Sequence, residues 1–488
     1  MANLTKDGIR SVIETIKELY LEDMIPWICG YSGGKDSSAV VQLVWYALRE
    51  IPREKLKKTV HVISTDTLVE SPVVAIWATE SLMKMERTAK EEGLPIIPHR
   101  LTPAITNTFW VNLIGRGYPY PRRDFRWCTD RMKIDTSNRF IKSVLDAESE
   151  AIMVLGSRKA ESVVRKAILE GYEKKRYRAH LSPNGSFPNS YVFTPIENWS
   201  NDNVWQYLVQ VPNPWGHSNK DLMAMYSGAS ADGECPLVLD SSTPSCGTSR
   251  FGCWVCTMVT EDKSMAAMIQ NDEEKAWMLP MLEFRNEIAA DWQTDRDRRD
   301  FRKRDGRLQW YNNRLVHGPY TKETREFFLK RILEVEKLVH EIGPEEIKDV
   351  PLISMEELKF IRQLWLDEFH EFDDSLPRIY KEVTGKDYSD GIISKNKYFG
   401  DQEAGLLKQV CNELYPDETL LADMQRALLD TEAKAAAISN KRNVILNFEK
   451  EIKKAFYRDE AEAEQIAEKY ARKISEITDE ASPDDFVE

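Results

Sequence analysis

The sequence predicts an α/β fold: a mostly parallel sheet flanked by helices, with a cysteine-rich insertion and a mainly helical C-terminal region. Three observations predict it. Short apolar runs alternate with amphipathic helical stretches over about the first 210 residues, the pattern of parallel strands joined by right-handed crossovers. The segment SGGKDSS stands between the first apolar run and the helix behind it. Beyond about residue 210 the alternation stops and helical patterning takes over.

Each element has its own warrant. Residues 1–20 place Ile9, Val12, Ile13, Ile16 and Leu19 on one helical face. PWICGY (26–31) is the first strand, and 37–50 is the helix after the glycine loop, with Ala39, Val40, Leu43, Val44, Ala47 and Leu48 inward. TVHVISTDT (59–67) is a second buried strand, and a helix follows over about 72–92, closed by Gly93. PIIPHRL (95–101) and AIMVLGSR (151–158) are the third and fourth strands. Trp77, Trp199 and Trp205 lie in helical segments and read as core. PNPWGHSNK is a turn region, and residues 231–258 concentrate Gly, Ser, Cys and Pro, which suits a loop held by something other than apolar packing. Residues 262–345 read as mainly helical, and 354–488 as helices broken by turns and ending in an acidic tail. The expected domains are 1–215, 216–345 and 346–488; at roughly 150 residues per domain, 488 residues accommodate two or three.

With 42% hydrophobic and 30% charged residues, the chain can bury a core. It lacks a run of about 18 apolar residues, and MANLTKDGIR lacks a signal-peptide core. Both predict a cytoplasmic protein with no membrane partner. A net charge of −13 argues against nucleic-acid binding through overall charge. It leaves local basic patches, around 122–133 and in RDRRDFRKRDGR (296–307), or presentation of nucleic acid by a partner. Seven cysteines in a long chain predict no disulfide framework.

Four stretches carry chemistry. In the loop, Gly33 and Gly34 let backbone N–H groups approach a phosphate at a helix N-terminus. Lys35 can neutralise it, and Ser32 and Ser37 can donate hydroxyls. The loop is not GxxxxGK[ST]. Asp66, with Glu70 after it, closes the second strand, and Arg158 with Glu161 follows the fourth. In RRDFRWCTDRMK, Cys128 lies among Arg122, Arg123, Arg126, Arg131 and Lys133. Such cations lower a thiol's pKa, so Cys128 reads as a sulfur carrier, as part of an anion site, or as a structural thiol. Cys235, Cys246, Cys253 and Cys256 form C-x10-C-x6-C-x2-C. Four thiolates suit tetrahedral zinc or an iron–sulfur cluster, and spread ligands fit a cubane better than a zinc ribbon. Cys29 and Cys411 read as packing residues.

SGGKDSS (32–38), STDTLVESP (64–72), LGSRKAESVVR (155–165) and TPIENWSNDNVWQYL (194–208) resemble the PAPS reductase branch of the PP-loop ATP pyrophosphatases. NTFWVNLIGRGYP (107–119), FRWCTDRMKI (125–134), GECPLVLDSSTPSCGTSRFGCWVC (233–256) and GPY (318–320) resemble the DndC family of DNA phosphorothioation systems. The resemblance implies a PP-loop sheet that binds ATP with Mg2+ through residues 32–37, Asp66 and Arg158. Lys35, Asp36 and Cys128 would serve catalysis. ATP would be cleaved to AMP and pyrophosphate to activate a DNA phosphate for sulfur. A 4Fe-4S cluster, a cysteine desulfurase as sulfur donor, DNA and other phosphorothioation proteins are the implied cofactor and partners. Two other functions share these features: reduction of adenylyl sulfate compounds, and an ATP-dependent scaffold of a modification complex.

Overall fold

A computed structural model describes residues 4–230, 251–371, 373–389, 401–416, 420–436, 444–457 and 459–480. The chain divides into two compact units. The first comprises Met1–Phe109, Pro121–Asn286 and Glu341–Lys348; the second comprises Trp110–Tyr120, Glu287–His340 and Asp349–Glu488.

The first unit is built from α1 (Lys6–Glu22), β1 (Trp27–Gly30), α2 (Lys35–Arg49), β2 (Val60–Thr65), α3 (Pro72–Glu92), β3 (Ile96–Leu101), α4 (Asp135–Glu148), β4 (Ala151–Val154), α5 (Val163–Lys174), β5 (Ser182–Pro183), β6 (Ser190–Phe193), α6 (Asn201–Gln210), α7 (Asn219–Gly228), α8 (Lys263–Asn271) and α9 (Leu279–Ile288). The six-stranded sheet runs β3-β2-β1-β4-β6-β5. Every pairing is parallel except β5 on β6. The expected α/β fold, a mostly parallel sheet flanked by helices, is therefore present. SYVF, read as no element in the sequence, supplies β6. Pro183 sits in the edge strand, where its missing N–H removes no ladder bond.

Alternation along β1 sends Trp27 and Cys29 into one core with Val60, Val62, Ile152 and Val154. Ile28 goes into the other, with Ile63, Met153 and the α4 residues Ile141 and Val144. Helices on both faces thus account for the near-continuous apolar strands. Trp199 and Trp205 are buried in the first core, as expected. The strand order reverses between β1 and β4. A crevice opens there beyond the strand ends, the place where such sheets hold ligands.

The second unit contains α10 (Trp292–Asp297), a hairpin of β7 (Trp310–Tyr311) and β8 (Arg314–Leu315), α11 (Lys322–Ile342), α12 (Met355–Glu368), α13 (Ser375–Thr384), α14 (Asp401–Leu414), α15 (Leu421–Ala436), α16 (Val444–Lys453) and α17 (Glu460–Glu480). Residues 110–115 pack on α12: the Trp110 indole donates to Leu352 O at 2.7 Å and the Trp365 indole to Ile114 O at 3.1 Å. The GPY element is a packing device. A Cβ on Gly318 would lie 1.9 Å from Arg302 O, and the Tyr320 hydroxyl donates to Asp295 at 2.7 Å. Much of the 296–307 charge is paired internally. Arg296 meets Glu460 and Glu464, Arg299 meets Asp295, Arg302 meets Asp300, and Arg304 meets Glu368. Among the described residues, no helix is long and apolar enough to cross a membrane.

Candidate functional site

The loop between β1 and α2 occupies the crevice. Gly33 adopts φ +74°, in the left-handed region, and a Cβ there would press on Trp77 and Ala78 at 3.3 and 3.4 Å. Gly34 caps α2 with no side-chain bond of its own, and the Lys35 N–H at this helix start donates to the Tyr226 hydroxyl at 3.4 Å. The dipole adds positive potential there. Ser37 ties the loop together: its hydroxyl donates to Gly34 O at 3.0 Å and accepts from Ser32 N at 3.2 Å. The Trp77 indole donates to Gly33 O at 3.2 Å. His217 lies against that indole, with ring centroids 3.6 Å apart. Burial pushes His217 down to about 4, so it is neutral at pH 7. Trp77, read as core, is half-buried and pins the loop.

The loop after β4 forms the other bank. The Arg158 side chain is 4% exposed and holds Asp36 through Nε–Oδ1 at 2.6 Å. The Lys35 ammonium meets the same carboxylate at 3.0 Å. A Cβ on Gly156 would lie 3.0 Å from the Asp36 carbonyl, so glycine is what lets this loop reach the start of α2. Between the banks is a cleft of about 500 Å³. Its lining joins Ser32–Asp36, Arg158 and Glu161 to Tyr226 and Phe251, whose rings meet edge to face at 4.7 Å. Neither aromatic stood out in the sequence: Tyr226 has no motif around it, and the motif that contains Phe251 was read for its cysteines. An anion cradle with two cations and an aromatic wall can hold a nucleotide.

Glu70 and Lys133 line the same cleft, with 3.9 Å between ammonium and carboxylate. They lead to the thiols. Residues 252–254 run along the segment after β2: Trp254 N donates to Val69 O at 2.9 Å, and Cys253 pairs with Glu70. The Thr67 hydroxyl lies 3.2 Å from Cys253 Sγ. Arg285, 1% exposed, clamps the far side by donating to Cys256 O, Val259 O and Thr260 O. Cys128 precedes a π-helical turn, Thr129–Ile134, that leads into α4. In a π turn residues i and i+5 are hydrogen-bonded neighbours, so Lys133 returns to the Cys128 side. In an α-helix it would overshoot by about 140°. Lys133 thus lies within electrostatic reach of Cys253, Cys128 and Cys256 together.

The thiol electrostatics reverse the sequence expectation. Burial raises the Cys128 thiol, Thr129 opposes this, and nearby Cys256 raises it further. Burial pushes Cys253 up to about 11 against the pull of Lys133. The arginines that surround Cys128 in sequence are not the groups that act on it most. Arg123 and Arg126 are exposed, Arg122 closes a tight turn with Phe125, and Arg131 donates to Asn107 at 3.1 Å. Asp66 does not line the cleft; its carboxylate is paired with Arg100 on β3 at 2.5 Å. Cys235 and Cys246 lie outside the described residues. Cys29 and Cys411 are buried, as packing thiols are.

Residues 26–258 match the phosphoadenosine phosphosulfate reductase domain family. Over 206 residues the chain is 29% identical to an uncharacterized protein of Methanocaldococcus jannaschii, covering 42% of this chain and 36% of that one. The match thus spans about a third of the length of that curated relative. Among solved structures, the chain is similar to the U34-tRNA thiolase NcsA of Methanococcus maripaludis with its 4Fe-4S cluster (12% identity, 58% of this chain and 78% of that chain, TM-score 0.28). It is also similar to the PAPS reductase of Candida auris in a phosphate complex (13%, 44% and 91%, TM-score 0.25). A third is the FMN adenylyltransferase of Candida glabrata with FAD and inorganic pyrophosphate (14%, 48% and 64%, TM-score 0.26).

Proposed function

We propose that this protein is a PP-loop ATP pyrophosphatase of the sulfurtransferase type that activates a DNA backbone phosphate for sulfur incorporation. One observation carries the reading: Lys133 lines the nucleotide-sized cleft within electrostatic reach of Cys128, Cys253 and Cys256, and Glu70 lines it while pairing with Cys253. That neighbourhood supports reading nucleotide and sulfur chemistry as sharing one place. ATP with Mg2+ would sit over residues 32–37, its outer phosphates on the α2 start and Lys35. A non-bridging oxygen of the DNA phosphate attacks the α-phosphorus, and the α–β bridging oxygen leaves with pyrophosphate. The adenylated phosphate then loses AMP when sulfur attacks. Activation is needed because an unmodified phosphate oxygen is a poor leaving group. Arg158 fixes Asp36 and so holds the loop in place.

Among the described residues no three His, Cys, Asp or Glu side chains are grouped to hold a metal. Of the expected 4Fe-4S ligands, Cys253 and Cys256 would supply two thiolates beside the cleft, and Cys235 and Cys246 would supply the other two. When bound, the cluster supplies soft iron for sulfur or electron handling. A cysteine desulfurase as sulfur source, other phosphorothioation proteins and a cytoplasmic location belong to the same proposal.

The test pairs product and metal analysis. With α-labelled ATP and DNA, AMP, pyrophosphate and label on DNA are expected, together with iron and sulfide at about four each per chain in anaerobically purified protein. ADP as the product, or colourless protein holding one zinc, sinks the proposal. The family match favours a second reading, reduction of an adenylyl sulfate; sulfite release without AMP transfer to DNA selects it.

A further inference from the structure

The second unit carries a cationic groove that the chemistry above does not use. It measures about 580 Å³, lies open to solvent, and is lined by Lys303, Arg304, Asp305, Arg307, Gln309 and Lys450. Four cations face one carboxylate. Lys303 and Arg304 also line a deeper adjoining cavity of about 410 Å³, where Lys454 joins them.

The crowding is built into the backbone. Gly306 adopts φ +80°, and a Cβ there would lie 2.6 Å from Lys454 N and 2.8 Å from Lys453 C. Only glycine lets the 303–307 loop lie against the last turn of α16. Arg302 fastens the contact by donating to Lys454 O. Like charges are thereby held together: Lys454 feels Lys450 and Arg304, and Lys303 feels Arg299. Burial, reinforced by these neighbours, lowers the pKa of both lysines.

Part of the charge is answered within the unit. Arg304 meets Glu368, Arg307 meets Asp305 at 2.6 Å, and Lys454 meets Glu451 at 2.7 Å. Lys303 and Lys450, on opposite banks, have no ion pair among the described residues. Two residues beyond Gln309, Tyr311 is 63% exposed, the kind of aromatic on which a base can stack.

We propose that this groove, with Lys303 on one bank and Lys450 on the other, holds the phosphodiester backbone of nucleic acid. The assignment rests on the proposed DNA substrate and adds where the polymer is gripped. In a chain of net charge −13, a polyanion is repelled by most of the surface, so a local groove must supply the attraction. Of the basic run 296–307, only Lys303, Arg304 and Arg307 line the groove, and α16 supplies the opposing charge.

The test is fluorescence anisotropy of the full chain with a labelled DNA duplex, titrated over a range of salt without ATP. The Lys303→Glu, Lys450→Glu double variant is expected to bind roughly tenfold or more weakly, and its log–log salt slope to fall by about 1.8, two phosphate contacts on a duplex. Lys55→Glu, an exposed reversal in the first unit, should change neither. The Lys303→Gln, Lys450→Gln pair should lose the same slope and retain wild-type melting. Unchanged duplex binding in both double variants overturns the proposal, as does binding of inorganic polyphosphate without binding of DNA. The same proteins are assayed for AMP formation from ATP. Groove-dependent DNA binding without AMP sinks the pyrophosphatase reading alone, and AMP formation with groove-independent binding sinks the groove alone.

Discussion

Replacing Gly156 with alanine adds one methyl group at the point where the two banks of the cleft touch. The new Cβ would stand 3.0 Å from the carbonyl carbon and oxygen of Asp36 and 3.2 Å from Ser37 N. All three are backbone atoms, so no side chain can swing aside, and either α2 or the post-β4 loop must shift. Overpacking of this kind costs about 1–3 kcal/mol. For a unit of this size that lowers Tm by about 2–10 °C. Gly171 provides the opposite case: nothing lies within 4 Å of its would-be Cβ. It sits inside α5, where alanine is the better helix former by about 0.5–1 kcal/mol. Gly171→Ala should therefore melt slightly above the wild type and bind ATP unchanged. Gly156→Ala should melt lower and lose ATP affinity tenfold or more, because the displaced atoms belong to the cradle. Calorimetric melts and a fluorescence titration with ATP read both. If Gly156→Ala melts and binds like the wild type, the contact between the two loops does not shape the site.

His370 lies between Asp430 at 2.5 Å and Glu451 at 3.9 Å; burial opposes its charge, yet these carboxylates raise its pKa above 6.5. Its stabilisation is full below pH 6.5 and lost as pH rises through the raised value, so melts between pH 6 and 9 should show a decline that His370→Gln removes. Glu451 works in the other direction: burial raises its pKa, but His370 and Lys454 outweigh it and bring it down to about 2, so its contribution holds above pH 4.5 and is lost as pH falls toward that value. Trp77→Phe keeps a ring beside His217 and deletes the indole bond to Gly33 O. A loss of about 1 kcal/mol in ATP affinity is expected from titration, and an unchanged affinity would show that the bond does not hold the loop. Arg285→Met leaves the carbonyls of Cys256, Val259 and Thr260 without their buried donor. Faster alkylation of Cys253 and Cys256 is expected by mass spectrometry, and wild-type rates would refute the clamp.

What the sequence disclosed was local. The first strand, glycine loop and helix were legible because an apolar run, two glycines and a 3.6-residue pattern stand side by side within 25 residues of chain. β6 escaped because four residues between glycine, proline and asparagine carry too little pattern. The cleft's far wall escaped because Tyr226 has no motif of its own and the stretch around Phe251 drew notice only for its cysteines. Of the cations the sequence sets beside Cys128, Lys133 stays within its electrostatic reach while Arg123 and Arg126 are exposed, and Cys256, 128 positions away, acts on it through space. The basic run 296–307 was legible only as a count. Composition counts charges, but folding decides which are answered, and Arg296, Arg299 and Arg302 are paired within the unit.

Residues 110–120 belong to the helical unit although the chain passes through them early. Trp110 meets its acceptor 242 positions later. During synthesis this apolar stretch leaves the ribosome long before α12 exists to cover it, and it must wait, shielded by whatever collapses around it. Truncation after residue 286 would leave Trp110, Leu113 and Ile114 uncovered for good. Expressing the sheet alone therefore calls for rewriting this stretch to polar residues, and a clipped fragment that keeps it should aggregate.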